Sequence, residues 1–188
     1  MKTKMNDDIR IRYSDSSTSD EIILELMKIE SDVYAPEYRG EYDSIAKRFH
    51  KFRDMFVFAY DGDKVIGYLC FFPISKRLHD EIVYSEGFHD DDIEPEDVVQ
   101  LTHNNYIYFL SIALYKAYQG RGIGRTMVDA FFDKLKEESE KGRNIEDIVA
   151  SVVTDQGEKI ARDYGFSLVK DYSETAHYKL FRKGENEI

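Results

Sequence analysis

An apolar run, a glycine-rich loop and an amphipathic helix follow one another directly in the second half of the chain. Residues 106–114 (Tyr-Ile-Tyr-Phe-Leu-Ser-Ile-Ala-Leu) are nearly all apolar or aromatic, which is typical of a central strand covered on both faces. The loop Gln119-Gly120-Arg121-Gly122-Ile123-Gly124 comes next. After it, apolar residues recur every four positions, as on one face of a helix: Ile123, Met127, Phe131 and Leu135. The loop is therefore predicted to lie at a helix N-terminus.

A loop in this position is suited to hold a phosphate group. The first N–H groups of a helix have no acceptor within the helix and carry a partial positive charge, so an anion can be held there by backbone donors. The three glycines allow positive φ and let the anion approach without a Cβ in the way. Arg121 and Arg125 add positive charge beside the loop.

Two other glycine motifs do not fit this segment. A dinucleotide fingerprint requires Gly-x-Gly-x-x-Gly, and counting from Gly120 and Gly122 places Arg125 where the third glycine should be. A P-loop requires Gly-Lys-Ser/Thr, which does not occur in the sequence. The simpler alternative is that the glycines only form a turn, but three glycines between a buried strand and a helix favour the phosphate interpretation.

The rest of the chain predicts a mixed α/β fold. An alternating strand at residues 9–13 precedes helices at about 20–33 and 42–52, and a hairpin pairs strands 55–60 and 65–72 before Pro73, which is predicted to end the second strand. Further strands are predicted at 145–153, 166–170 and 177–181, with a helix at 156–164. The predicted order is β-α-α-β-β-β-α-β-α-β-β, with helices packed on both faces of a central sheet.

Composition limits the classes of function. The 188 residues fit one compact domain, residues 1–188. A net charge of −11 argues against a nucleic-acid surface and against an anionic membrane, and it is compatible with a cationic substrate such as an amine. The single cysteine, Cys70, the lack of a signal peptide and the lack of about 20 consecutive apolar residues predict a cytoplasmic protein.

Residues 73–105 form an acidic insert with nine acids and two bases. A connection of this length between strands is typically functional or mobile. The insert also holds three of the five histidines, His79, His89 and His103. Their spacing does not resemble that of metal ligands, so no metal site is predicted.

The loop and a second segment resemble a known family. Residues 112–124 resemble motif A of the GCN5-related N-acetyltransferases (GNAT), whose core is Gln/Arg-x-x-Gly-x-Gly/Ala, and residues 161–166 (Ala-Arg-Asp-Tyr-Gly-Phe) resemble the end of motif B. The resemblance implies a GNAT-like mixed, mostly antiparallel sheet and transfer of an acetyl group from acetyl-CoA directly to an amine of a small molecule or protein.

The same resemblance implies a set of cofactor-binding residues. The backbone N–H groups of Gln119, Gly120, Arg121, Gly122, Ile123 and Gly124, with Arg125 next to them, would bind the pyrophosphate of coenzyme A. The strand residues Ile112, Ala113 and Leu114 would pair with the pantetheine arm, and the amide near Leu114 would polarise the thioester carbonyl. Thr154 occupies the position at which an Asn of motif B often contacts pantetheine.

The proton-transferring residues are not assigned by the sequence. The tyrosine that usually acts as the acid in the family is replaced by Ala161, and the nearest tyrosine, Tyr164, is an alternative acid or a packing residue. Glu37, His79, His89, His103 and the acids of the insert are candidates for the base, each with a solvated surface role as the simpler interpretation. Solvent can also protonate the leaving thiolate.

Two other functions remain open beside the enzyme. The first is a regulatory module that binds an acyl-CoA with weak or no catalysis, which the change to Ala161 motivates. The second is an interaction protein that docks through the acidic insert and does not bind coenzyme A. A homodimer is possible in each case.

Overall fold

The computed structural model describes residues 8–85, 88, 93–94 and 96–184. Its strands are β1 (Ile9–Tyr13), β2 (Phe56–Asp61), β3 (Lys64–Ile74), β4 (Asn104–Leu114), β5 (Asn144–Val152), β6 (Ser167–Asp171) and β7 (Lys179–Gly184). Its α-helices are α1 (Ile22–Val33), α2 (Tyr42–Lys51), α3 (Lys76–Tyr84), α4 (Ile123–Glu140) and α5 (Asp155–Asp163). None of the helices in these ranges is both long and apolar enough to cross a membrane.

The strands form one seven-stranded sheet in the order β1-β2-β3-β4-β5-β7-β6. The pairs β1/β2, β2/β3, β5/β7 and β6/β7 are antiparallel, whereas β4 and β5 are parallel. The predicted fold class, a mixed and mostly antiparallel α/β sheet, is therefore confirmed.

The chain divides into two compact units, each with its own apolar core. The first comprises Met1–Cys70 and Ser111–Phe131, and the second comprises Phe71–Leu110 and Phe132–Ile188. In the first, Phe49 of α2 packs edge-on against Phe56 of β2, with the ring centroids 5.3 Å apart. In the second, Ile148 of β5 and Phe181 of β7 are fully buried. The single domain over residues 1–188 stays a prediction.

Helix α3 is absent from the predicted order, and it occupies the first part of the acidic insert. Ser75 caps it, because its Oγ accepts from the N–H of Leu78 at 3.1 Å. Leu78, Ile82 and Val83 are buried on one face. The charges of this segment predict a long polar connection between strands. The apolar residues at positions i, i+4 and i+5 instead form the buried face of a helix.

The predicted end of β3 at Pro73 was wrong, because the strand continues to Ile74. Proline removes a backbone donor but keeps its carbonyl. Here the Pro73 carbonyl accepts a hydrogen bond from the N–H of Val99 at 2.9 Å, and Ile74 forms an antiparallel bridge with Val98. The strand therefore uses the acceptor that proline retains.

Three of the five described acids of the insert form ion pairs within the insert. Lys76 pairs with Asp80, and Arg77 pairs with Glu81 at 2.8 Å. Arg77 also donates to both carboxylate oxygens of Asp97 at 2.6 Å, and Asp97 is buried. Glu86, His89, Asp90, Asp91 and Asp92 lie outside the described residues. Part of the acidic cluster thus serves the local fold rather than a free surface.

Helix α4 ends at a glycine. Gly142 has φ of 81° and donates to the carbonyl of Ser139, and the N–H of Arg143 donates to the carbonyl of Glu138. These two bonds form a Schellman motif. The buried Glu138 carboxylate accepts from Lys141 at 2.9 Å and from Arg143 at 2.6 Å. The end of α4 is therefore fixed by a charged cluster as well as by the backbone.

Replacing Glu138 by glutamine is expected to lower the free energy of unfolding by about 1–3 kcal/mol at pH 7, since two charge-assisted hydrogen bonds are weakened. Burial raises the pKa of Glu138, but the bonds from Lys141 and Arg143 outweigh it and hold that pKa below its usual value of 4.5. The ionised carboxylate thus stabilises the fold above pH 4.5, and this contribution is lost as the pH falls through the lower folded-state pKa. Urea unfolding at pH 7, 5 and 3 should show that the difference in the free energy of unfolding between wild type and variant becomes smaller as the pH falls. The exposed neighbour Glu140→Gln is the control, and a difference independent of pH would contradict the assignment.

Candidate functional site

The glycine-rich loop has the backbone geometry that the sequence predicts. Gly120 and Gly122 have φ of 74° and 85°, and a Cβ built on either would meet no heavy atom within 4 Å. The first hydrogen bond of α4 after the loop runs from the N–H of Thr126 to the carbonyl of Gly122 at 3.1 Å. The N–H groups of Ile123 and Gly124 precede that bond and have no acceptor within the helix. The loop and first turn therefore offer open space and backbone donors at the positive end of a helix.

Side chains and backbone around the loop hold it in place. The Gln119 side-chain amide donates to the carbonyl of Leu114 at 2.9 Å, and the Gln119 N–H donates to the carbonyl of Lys116 at 3.2 Å. The N–H of Lys116 in turn donates to Asp32 of α1 at 2.8 Å. Among the residues predicted to bind pyrophosphate, Gln119 thus already uses its backbone N–H in the turn that enters the loop.

The loop is flanked by exposed cationic side chains and by one half-buried tyrosine. Arg121 donates to the carbonyl of Ala117 at 2.6 Å, and its guanidinium lies 5.2 Å from the centroid of the Tyr118 ring. The Tyr118 hydroxyl donates to Asp61 at 2.8 Å, and this hydrogen bond raises the pKa of Tyr118. Arg125 is exposed in the first turn of α4. The charge near the loop is therefore positive on the side that solvent reaches.

The end of β4 lies close to the backbone of β3. A Cβ on Gly67 would be 2.7 Å from Leu114 Cδ1 and 2.9 Å from the Ala113 carbonyl, so only glycine allows this approach. The N–H of Tyr115 donates to the carbonyl of Ile66 at 3.0 Å. This contact positions the backbone of Ile112, Ala113 and Leu114, the segment predicted to pair with pantetheine.

The expectation that β4 is covered on both faces throughout was wrong. Its parallel pairing with β5 runs from Asn104 to Tyr108, and the residues from Phe109 to Ile112 are outside that pairing and only half-buried. A central strand with half-buried apolar residues provides backbone groups and apolar surface that a ligand can cover.

A buried polar cluster next to the end of β4 was not found from the sequence. The Tyr68 hydroxyl donates to Glu30 and lies 3.1 Å from Ser111 Oγ, and the Tyr34 hydroxyl donates to the Ile112 carbonyl at 2.8 Å. Burial raises the pKa of Glu30, against the lowering effect of hydrogen bonds from Tyr68 and the Gly40 N–H. Burial also raises the pKa of Tyr68, and the Glu30 charge adds to that. A signal was present, because Glu30 follows Leu26 by four residues and so lies on the apolar face of α1.

Thr154, Ala161 and Tyr164, the predicted site residues of the second unit, make contacts that stabilise the local fold. Thr154 is the N-cap of α5, and its side chain accepts from the N–H of Gly157 at 3.0 Å. Ala161 is buried on α5. The Tyr164 ring stacks on Phe132, with the centroids 5.6 Å apart and the planes at 11°. The described contacts of Tyr164 favour packing, while its role as an acid stays a hypothesis.

The base candidates are found in different environments. His79 is 3% exposed, so its interpretation as a solvated surface group was wrong. It bonds Asp147 through Nε2 at 2.7 Å. His103 is exposed and bonds the Gly142 carbonyl at 2.9 Å, and Glu37 is exposed in a short 3-10 turn. His89 lies outside the described residues. Within the ranges that the structure describes, no group of three or more His, Cys, Asp or Glu side chains is placed to hold a metal ion.

Comparisons with known proteins identify the family and the fold. The sequence model of the acetyltransferase (GNAT) family matches residues 23–166. No curated protein sequence matches significantly. Among solved structures, the loading GNATL domain of CurA from Lyngbya majuscula is similar with a TM-score of 0.74 at 13% identity, over 96% of this chain and 99% of that one.

Two further structures extend the comparison. Arabidopsis thaliana Naa50, solved with the bisubstrate analogue CoA-Ac-MVNAL, has a TM-score of 0.61 at 14% identity, over 94% of this chain and 99% of that one. The GphF GNAT-like decarboxylase, solved with isobutyryl-CoA, has a TM-score of 0.69 at 11% identity, over 93% and 98%. At these identities the likeness shows the shared fold.

Proposed function

Because the chain belongs to the GNAT acetyltransferase family, we propose that it is an N-acetyltransferase that moves an acetyl group from acetyl-CoA directly to an amine of a small molecule or protein. The observation that carries the proposal is the loop from Gly120 to Gly124. Its two positive-φ glycines lie directly before α4, beside exposed Arg121 and Arg125. This arrangement suits the pyrophosphate of coenzyme A, which needs backbone donors, open space and positive charge.

The end of β4 would receive the pantetheine arm and the thioester. The backbone of Ile112, Ala113 and Leu114 continues beyond the pairing with β5 and is held by the close approach of Gly67. An amide near Leu114 would polarise the thioester carbonyl by a hydrogen bond that strengthens as negative charge develops on the oxygen. Structures of similar fold solved with the bisubstrate analogue CoA-Ac-MVNAL or with isobutyryl-CoA support a derivative of coenzyme A as the ligand.

The reaction would consist of one direct transfer between two bound substrates. The neutral amine attacks the thioester carbon and the C–N bond forms, while the C–S bond breaks to release coenzyme A as thiolate. The nitrogen then loses a proton to the solvent, which leaves the neutral amide. Holding both reactants in place supplies much of the acceleration. Ala161 stands where the family places a tyrosine acid, so protonation of the thiolate would come from solvent or from Tyr164. Thr154 accepts from Gly157 in its capping bond and would donate its own hydroxyl proton to pantetheine.

The net charge of −11 favours a cationic acceptor. At neutral pH a primary amine is an ammonium ion, so an anionic protein attracts it before it loses its proton. Three of the five described acids of the insert are paired with Lys76 or Arg77, which reduces the share of these three in that attraction. The acceptor would therefore be selected by the charge of the protein as a whole and by the shape of its pocket.

The proposal is tested by incubating the protein with acetyl-CoA and a panel of polyamines, aminoglycosides and peptides with a free N-terminus or lysine. Mass spectrometry should detect a product heavier by one acetyl group together with free coenzyme A. Isothermal titration with acetyl-CoA provides the binding measurement. Binding without any acetylated amine across the panel would contradict the proposed reaction.

A second function is supported by one specific observation. Ala161 replaces the tyrosine acid, and the nearest tyrosine is stacked on Phe132, as expected of a module that binds an acyl-CoA without turnover. The same experiment separates the two functions, because this module would bind acetyl-CoA and leave every amine unmodified. An interaction protein that docks through the insert would bind neither acetyl-CoA nor amines.

A further inference from the structure

A line of hydrogen-bonded side chains leads from the end of β4 to a buried carboxylate. Ser111 Oγ lies 3.1 Å from the hydroxyl of Tyr68, and that hydroxyl donates to Oε1 of Glu30. The other carboxylate oxygen, Oε2, accepts from the N–H of Gly40 at 2.7 Å. Ser111 directly precedes Ile112, where the segment proposed to hold the thioester begins. All of these groups belong to the first of the two compact units.

The hydrogen bonds in this line have a defined direction. A tyrosine hydroxyl has one proton, and that of Tyr68 is directed at the carboxylate of Glu30. Ser111 is therefore the donor in its bond to Tyr68, and its one proton is shared with the Tyr34 oxygen, which lies 3.3 Å from Ser111 Oγ. The Tyr34 hydroxyl uses its own proton on the Ile112 carbonyl at 2.8 Å. A proton that arrives at Ser111 can thus be passed on through the shorter of its two contacts to Tyr68, and from Tyr68 to Glu30.

The surroundings of Glu30 suit a proton acceptor. Its side chain is 7% exposed, and burial raises the pKa above the usual carboxyl value. Four groups act against this shift, namely Tyr68 of β3, the Gly40 N–H, Arg48 of α2 and Arg39 of the connecting segment. Cys70 and Tyr34 are the further titratable groups near Tyr68. A carboxylate with a raised pKa accepts a proton more readily at neutral pH than an exposed one.

We propose that Glu30 takes up the proton that the acceptor ammonium loses, and that Ser111 and Tyr68 pass it on. The ammonium N–H bond breaks as a proton goes to Ser111 Oγ. Ser111 gives its own proton to the Tyr68 oxygen, and Tyr68 gives its proton to Glu30. Both hydroxyls end neutral, Glu30 becomes a neutral acid, and the amine keeps the electron pair with which it attacks the thioester. The inference rests on the proposed acetyl transfer, and it assigns the base that the sequence left open.

Glu30 and Tyr68 act at a distance from the substrate, so the test needs a measurement that a purely structural cluster would not change. That measurement is the pH dependence of kcat in Tyr68→Phe and Ser111→Ala. Each variant interrupts the relay and leaves the carboxylate in place. At pH 6.5 we expect kcat to fall about a hundredfold, within the range for loss of general base catalysis. As the pH approaches the pKa of the amine, the substrate arrives neutral and the loss should shrink to a few-fold. The KM for acetyl-CoA should stay within about twofold of wild type.

Controls separate the relay from the fold and from the reaction. Tyr60→Phe changes a half-exposed tyrosine of β2 outside the line and should keep the wild-type pH profile. Ser111→Ala removes a single hydroxyl, so it serves if Tyr68→Phe does not fold, as judged by thermal unfolding. An active wild type with variants that lose nothing, or that lose the same factor at every pH, would overturn the relay alone. A wild type that binds acetyl-CoA but acetylates no amine would overturn the proposed function, and the relay with it.

Discussion

Replacing Gly122 by alanine is expected to weaken coenzyme A binding by about ten- to a hundredfold while the protein stays folded. Gly122 has φ of 85°, a conformation that costs a residue with a Cβ about 1–2 kcal/mol. Relief of that strain would turn the peptide and move backbone donors away from the pyrophosphate. Each hydrogen bond to a charged group contributes about 1.5–3 kcal/mol, so losing one accounts for the expected change. Isothermal titration with coenzyme A gives the dissociation constants.

The chain contains a matched control for this substitution at the other end of the same helix. Gly142 has φ of 81°, and a Cβ there would also meet no heavy atom within 4 Å. Gly142→Ala should therefore lower the free energy of unfolding by a similar amount and leave the dissociation constant unchanged. Equal affinities for the two variants would show that the loop at Gly120–Gly124 does not hold the pyrophosphate.

The loop could be predicted from the sequence because every group it needs is local. The strand before it, the glycines and the first turn of α4 lie within a few residues of one another, and the positive φ at Gly120 and Gly122 follows from residue type and position. The same holds for the end of α4 at Gly142. In both places short-range hydrogen bonding determines the backbone, so residue order carries the information.

The cluster at Glu30 could not be predicted in the same way because its members are distant in sequence. Glu30 and Tyr68 are 38 positions apart, Tyr68 and Ser111 are 43 apart, and Tyr34 and Ile112 are 78 apart. Each residue alone has an ordinary interpretation, as a helix residue or as part of an apolar strand. Only the pairing of strands and the packing of α1 bring the polar atoms together, and that depends on the whole sheet.

His79 is a residue that the sequence suggests as a catalytic base and that has a structural role in the folded protein. Its position in an acidic segment suggested an exposed base, yet helix α3 places it against β5, where its Nε2 bonds the fully buried Asp147. The helix was missed, so the burial of His79 was missed with it. Whether a side chain is buried depends on what its helix or strand packs against, and the charge pattern of one segment does not contain that information.

The Asp147 site predicts the largest change in stability. Asp147 is 1% exposed, and one carboxylate oxygen is shared by His79 and by Nε of Arg182 in β7, which donates to it. The other oxygen has no hydrogen-bond partner among the described residues. Replacing Arg182, whose side chain is 41% exposed, by leucine removes the cation and leaves the buried carboxylate with its bond to His79. This is expected to cost about 3 kcal/mol, the lower end of the range for a broken buried ion pair. The measurement is urea unfolding at pH 7.

The double variant Asp147→Leu with Arg182→Leu tests why Arg182→Leu loses stability. It shows whether the loss comes from the buried Asp147 carboxylate that has lost its cation. Apolar side chains of similar volume often replace a buried ion pair at little cost, so most of the lost stability should return when both charges are removed. In a double-mutant cycle this gives a coupling energy of several kcal/mol, well beyond the few tenths expected of independent sites. If the two single losses simply add, the ion pair between Arg182 and Asp147 does not contribute to stability, and Arg182 stabilises β7 through its aliphatic stem.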